Sequence, residues 1–381
     1  MRDDRILIVG QNVRHIACSA ARAGLVVFAA DCYGDLDLEE SVSKSFLLEC
    51  DPSIPGALAR SAESLIIRAL DHCSIDALVL GPGVEEMRIE GMRILNNPPK
   101  KILEVSDKLW LARWLEKEGF ASVPTWPIGE GRDGIEFPLM IKPRKGAGGT
   151  ENRLVTSNGE LARLEGEMIV QEMVAGTPAS VSVIADGEEA VAISVNEQLI
   201  GTRWLGGRGF RYCGNISPLE SRYDSIVSEM IEIAEEITMR LHLIGSNGVD
   251  FILTESGPVV LEVNPRFQGS LDAVEISTRM NVFRAHQLSF EGRLPERLKP
   301  RGFGGRAILF AEDDLKIGVD LRCATKWVAD IPRPGSFAKR GDPIASVLSF
   351  GEYREEAVDL LRRRSSLIYG ALRQPADATR T

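Results

Sequence analysis

A chain of 381 residues is too long for one ordinary core, so two or three compact units are expected. Apolar residues at 44% and charged residues at 26% fit a globular protein in water, and no apolar run reaches the length of a membrane span. The net charge of -10 excludes a nucleic-acid-binding surface, which needs a basic stripe.

The N-terminus runs straight into a strand with no signal-peptide hydrophobic region, which points to a cytoplasmic protein. Residues 1–100 alternate strand and helix. Arg5–Gly10 is a buried-strand run, a helix follows and stops at Gly24, and Val26–Asp31 is the next strand. A helix over Ala57–Leu70 and a strand over Ala77–Gly81 continue the pattern, which implies a parallel sheet. The first turn, Gly10-Gln11-Asn12-Val13-Arg14, lacks the later glycines of a dinucleotide fingerprint, so an NAD site is rejected. His15 beside that turn either touches a ligand or packs. Residues 101–120 read as one helix with Ser106 as its N-cap and Gly119 as its stop.

From Pro124 to about Leu219 the pattern changes to strands and glycine-rich turns. A long amphipathic helix carries Ile226, Met230, Ile233, Ile237 and Leu241; a hairpin over Gly248–Val263 and a helix over about Asp272–Phe290 follow. Strand signals at Arg306–Phe310, Lys326–Ala329 and Pro343–Leu348 precede a final helix from Arg354 and a polar tail after Gln374. The six cysteines are scattered, without a C-x-x-C pair, which argues for reduced thiols.

The hairpin carries the sharpest chemistry. A turn centred on Ser256 sets Asp250 opposite Glu262, and the two-residue strand period puts Asn264 on the face of Glu262. Carboxylates directly across a strand pair repel. A hard divalent cation removes that penalty, and Mg²⁺ takes such oxygens beside phosphates. The competing reading is an ordinary hairpin with exposed acids. Arg266, just past Pro265, would stabilise charge on a transferring phosphoryl group, or else makes a surface ion pair.

Lys142 ends a buried strand and leads into Arg144-Lys145-Gly146-Ala147-Gly148-Gly149-Thr150, a loop whose N–H groups can close over phosphates. Lys108 stands in the first turn of its helix, where the macrodipole disfavours a cation unless phosphate offsets it. The strand Ile169–Val174 could present main-chain groups to a base. Arg203, Arg208 and Arg211 lie in a basic, aromatic and glycine-rich loop that could hold an anionic substrate, or be solvated. Cys213 in the same loop reads as packed, with no histidine partner nearby in sequence.

Together these motifs resemble the ATP-grasp superfamily over roughly residues 1–295. The likeness is greatest to archaeal-type predicted ATP-dependent carboligases related to biotin carboxylase, a group without a well-defined substrate. The resemblance implies an α/β and α+β chain. It has an N-terminal Rossmann-like parallel-sheet domain over 1–100, a connecting helix over 101–120 and an ATP-grasp lid over 121–180. A catalytic subdomain over 181–300 and a small β-rich closing domain over 301–381 complete it. It implies ATP and Mg²⁺ (or Mn²⁺) as cofactors, with Lys108, Lys142, Gly146, Gly148 and Gly149 on the phosphates. Gln171, Glu172 and Val174 fall to the base, and Asp250, Glu262 and Asn264 to the metal. Arg266, Lys142 and Asn264 are the implied catalytic residues, and Arg203, Arg208, Arg211, Asn12 and His15 the candidates for substrate.

One departure is Ala179, where the family often has an acid bonding the ribose hydroxyls. The implied reaction phosphorylates a carboxylate and lets an amine attack the acyl phosphate. Its partners are small-molecule carboxylate and amine substrates, with no nucleic acid, no membrane and a homodimer as the candidate assembly. The alternatives are a carboxylase-like enzyme that activates bicarbonate and a nucleotide-binding module without turnover. The lack of a Met-Lys biotin-attachment signature favours the ligase, and the intact lysine, acid and arginine positions argue against the module.

Overall fold

A computed structural model describes residues 4–50, 54–130, 134, 136–146, 148–149, 151–220 and 224–373. Ala147 and Thr150 of the glycine-rich loop and the tail after Gln374 lie outside the described residues.

The apolar runs of the first hundred residues form a parallel four-stranded sheet. Its order is Lys44–Leu47, Val26–Asp31, Arg5–Val9, Ala77–Leu80. Ile6, Leu7, Ile8 and Val9 are all fully buried, as expected for a strand covered on both faces. The helix Arg14–Arg22 packs against this sheet and shares a core with Phe267, Val274 and Phe283 from far along the chain.

The region read as one helix over 101–120 is two, Pro99–Val105 and Lys108–Glu118. Ser106 ends the first, and Asp107 caps the second by accepting from the Leu109 and Trp110 N–H groups. The carboxylate outcompetes the hydroxyl as a cap because Arg144 also pairs with it, at 2.6 Å. Lys108 therefore opens its helix. The expected helix over Asp272–Phe290 is likewise broken, into Leu271–Thr278 and Val282–Ser289, at Arg279 with φ 60°. Asn281 restarts the chain by capping the Arg284 N–H at 2.7 Å.

An antiparallel sheet of eight strands runs through the rest of the molecule. It begins with the hairpin strands Gly257–Asn264 and Ile244–Thr254, then Thr177–Asp186, Ala190–Ile200 and Tyr212–Ser217. Phe303–Phe310, Pro343–Gly351 and Val328–Ala329 continue the same sheet. One face is covered by the helices Asp224–Arg240 and Lys108–Glu118. A second sheet, ordered Thr125–Pro127, Met168–Glu172, Leu139–Pro143, Arg153–Val155, stands over the hairpin end. Among the described residues no helix is long and apolar enough to cross a membrane.

His286 fixes the junction of these layers. Its ring sits against Phe267, Phe283 and Phe290; Nδ1 accepts from the Ser246 N–H at 2.8 Å and Nε2 faces the Leu95 carbonyl at 3.0 Å. Gly245, with φ +79°, leaves room that a Cβ would close to 2.6 Å from the ring. Burial holds the His286 pKa down at about 3. The imidazole is thus neutral when folded and charged when unfolded across the interval below its ordinary value of 6.5. Stability from this residue is complete above that value and is lost as pH falls. By pH 5 the loss is expected to be about 2 kcal/mol. Urea midpoints at pH 7 and pH 5 check this, and His286→Gln should flatten the difference.

Candidate active site

The hairpin register places Asp250 opposite Glu262 and Gly248 opposite Asn264. The route differs from the expected one. The turn is closed by a Thr254–Gly257 pair, which alone would set Asp250 against Leu261, and a bulge between Asp250 and Phe251 restores the Glu262 pairing. A bulge adds a residue to one strand and re-aims its side chains. Here Leu261 and Glu262 both face the cavity above the sheet.

Asp250 is held from three sides. Gln198 Nε2 donates to its Oδ1 at 2.9 Å and Asn264 Nδ2 to its Oδ2 at 3.1 Å, with Glu262 across the pair. Burial and the Glu262 charge push its carboxyl up to about 7, against the pull of these donors and of Arg266. An added positive charge relieves both causes. Two carboxylates and an amide oxygen suit Mg²⁺, which takes its remaining ligands from phosphates and water. The Asn264 Oδ1 accepts from Arg266 at 3.3 Å and has a second lone pair for a cation.

The cations converge on these acids. Lys108 Nζ is 3.5 Å from Glu262 and donates to the Gly146 carbonyl at 2.7 Å, which ties the glycine-rich loop to the hairpin. Lys142 lines the same cavity, where burial lowers its pKa and the Glu262 charge opposes that shift. Arg266 is anchored to Glu85 at 3.3 Å. Gly149, at φ +68°, lies so close to Phe210 that a Cβ would stand 2.2 Å from its carbonyl oxygen, and the Gly148 carbonyl accepts from the Tyr212 N–H at 3.2 Å.

Gln171, Glu172 and Val174 line the cavity together with the apolar Met140 of the small sheet and Ile252 and Leu261 of the hairpin. The Gln171 side chain is buried and donates to Thr125 Oγ1 at 2.8 Å. Ala179 faces away from the cavity, packed in the core opposite Phe251, while its neighbours Pro178 and Ser180 line the cavity. An acid at 179 would have pointed into the core.

Asn12 and His15 also line the cavity. Arg203, Arg208 and Arg211 are not brought there. Arg203 and Arg208 are exposed. The Arg211 guanidinium sits 4.7 Å over the Phe310 ring and donates to the Gly341 carbonyl, so it clamps the loop onto later strands. Cys213 is fully buried beneath it. Gln198 and Glu85 escaped the sequence reading. Glu85 follows the strand Ala77–Leu80, and the carboxyl ends of parallel strands are the usual ligand edge.

The cavity has a volume of about 1340 Å³, above the roughly 300–1,000 Å³ of a pocket for one small ligand. It has a second end. Arg14 binds Asp272 at 2.6 Å and Asp330 at 3.0 Å, and Arg306 binds Asp330 at 2.8 Å. Arg306 also donates to the Gly269 carbonyl at 3.0 Å, joining this network to the chain that leaves the hairpin.

Residues 105–270 match the family described as the ATP-grasp domain. The chain is 26% identical over 360 residues to an uncharacterized protein of Methanocaldococcus jannaschii, covering 91% of this chain and 88% of that one. The carbamoyl phosphate synthase large chain of Caldanaerobacter subterraneus is 24% identical over 180 residues, 45% of this chain and 16% of that protein. Among solved structures, the biotin carboxylase domain dimer of the Hydrogenobacter thermophilus 2-oxoglutarate carboxylase, in complex with MgADP and bicarbonate, superposes with a TM-score of 0.76. The identity is 15%, over 95% of this chain and 89% of that one. The N5-carboxyaminoimidazole ribonucleotide synthetase of Thermotoga maritima gives 0.67 at 18% identity, over 96% and 98%. At these identities the two structures establish the fold.

Proposed function

We propose that this chain, a member of the ATP-grasp family, is an ATP-dependent ligase that joins a small carboxylate to an amine through an acyl phosphate, releasing ADP and phosphate. The observation that carries this reading is the convergence of Lys108, Lys142 and Arg266 on the Asp250–Glu262 pair. That arrangement can neutralise a triphosphate and has few other uses.

Asp250, Glu262 and Asn264 would hold Mg²⁺ or Mn²⁺, which supplies charge neutralisation to the phosphates. The apolar slot of Met140, Ile252 and Leu261 takes the base, beside the Gln171–Val174 main chain. Lys108 and Lys142 steady the phosphates, with Gly146, Gly148 and Gly149 closing over them. Arg266, fixed by Glu85, faces the oxygens of the acyl phosphate. The protein's work is positioning and charge neutralisation, as phosphoryl transfer requires. A homodimer is proposed from the dimeric biotin carboxylase domain and is checked by mass in solution.

The test is ADP release over a panel of carboxylates and amines, with hydroxylamine to trap an acyl phosphate. ADP together with a hydroxamate is the expected result. AMP as the product would overturn the mechanism. ADP release driven by bicarbonate alone would favour carboxyphosphate chemistry, the reading nearest the solved carboxylase neighbours.

A further inference from the structure

The second end of the cavity holds polar atoms that the protein itself leaves unanswered. Among the described residues, Asn12 Oδ1, both ring nitrogens of His15 and Asp35 Oδ2 are buried with no hydrogen-bond partner. His15 is 5% exposed and Asp35 3%, and all three residues line the cavity. Asn12 and Asp35 come from the first two strand-to-helix turns, at the carboxyl edge of the N-terminal parallel sheet, and His15 from the first turn of the helix Arg14–Arg22. Asp35 precedes a helix without capping it, so its carboxylate is not used locally.

Buried polar groups without partners are costly and rare in folded proteins. The three residues have a definite chemistry, distinct from Arg306 Nε and Ser346 Oγ, which also line the cavity without a hydrogen-bond partner among the described residues. Asn12 Oδ1 accepts hydrogen bonds, Asp35 Oδ2 does so in its ionised form, and a neutral imidazole offers one acceptor with its single donor. The surrounding charge has the same bias. Asp31, Asp35 and Asp37 add to the network of Arg14, Arg306, Asp272 and Asp330, so acids outnumber arginines. Burial and the charges of Asp330, Asp31 and Asp37 push the Asp35 carboxyl up to about 8, a cost that a bound cation would lift.

We propose that Asn12, His15 and Asp35 form the subsite for the amine partner, which enters as a primary ammonium group. This rests on the ligase reading and gives its second substrate a place and a charge. The Arg306–Gly269 hydrogen bond sets the subsite beside the chain that carries Asn264 and Arg266. A carboxylate or bicarbonate would meet the acceptor of Asn12 here, with Arg306 already paired to Asp272 and Asp330.

The test is the melting temperature of the full chain with millimolar primary alkylamines, diamines and amino acids. Alcohols of matched length serve as uncharged controls, and MgADP is run separately. At least one amine should raise the melting temperature where its alcohol does not. Asp35→Asn should weaken that amine about tenfold or more, and Asn12→Ala should weaken it too, while both variants keep the MgADP shift. A MgADP shift with no amine shift overturns the subsite, as does an amine shift that survives Asp35→Asn or is matched by the alcohol. An amine shift without a MgADP shift supports the subsite and instead overturns the nucleotide reading.

Discussion

Glu262→Gln is expected to lower turnover by about a thousandfold or more while leaving the fold at least as stable as before. The two effects separate because Glu262 has two neighbours of opposite kind. It faces Asp250 across the hairpin, where its charge helps push the Asp250 carboxyl up, and it holds Lys108 at 3.5 Å. A neutral amide of the same shape ends the repulsion with Asp250, and the exit of a like charge from a strand pair is favourable. Lys108 keeps its bond to Gly146. What would be lost is the second carboxylate of the proposed cation site and the negative charge beside Lys108 and Lys142. ATP turnover and the urea midpoint should therefore move in opposite directions or the midpoint stay still. Unchanged turnover would refute the metal assignment, and a large drop in the midpoint would make Glu262 structural.

Arg14→Met is expected to destabilise the chain by about 3–5 kcal/mol, the cost of breaking a buried ion pair from one side. Arg14 is 3% exposed and stands between Asp272, at 2.6 Å, and Asp330, at 3.0 Å. Its removal leaves Arg306 as the partner of both acids. Methionine fills much of the volume, so the loss is electrostatic rather than a cavity. The second replacement Asp272→Leu should recover part of it, since a buried pair is cheaper to replace than to halve. Urea midpoints of the single and double variants measure the coupling. A loss below about 1 kcal/mol would mean that water already screens the network.

The parallel sheet and the acid face of the hairpin were legible because both rest on short-range rules, apolar runs and the two-residue period. The hairpin also shows the margin of such rules. Counting from a turn centred on Ser256 gives the observed pair, although the true turn is one residue tighter and the Leu261 bulge makes up the difference. At Ala179 the same parity decides otherwise, because adjacent residues face opposite sides and it is Pro178 and Ser180 that face inward. The split at Ser106–Asp107 was missed because Arg144, 37 residues on, settles which residue caps. Arg203, Arg208 and Arg211 carry the charge expected of a substrate loop. Their direction depends on what later strands supply, and Phe310 with Gly341 takes Arg211 away. Gln198, Glu85 and Asp35 have no local signature. They matter only because β pairing and the turns of the first sheet bring them to one cavity.

The unbroken sheet from the hairpin to Pro343–Gly351 also has a mechanical meaning. Its strands share one continuous ladder, so the floor carrying Asp250 and the wall carrying Arg306 cannot swing apart without tearing backbone hydrogen bonds. The small sheet over the hairpin has no such ladder to it. Among the described residues its ties include a bridge at Ser122–Val260, the Asp107–Arg144 ion pair and bonds through Gly146 and Gly148. Any opening of the cavity thus has one cheap axis, with the small sheet hinging on a stationary plate, and amide exchange should be fastest along those ties.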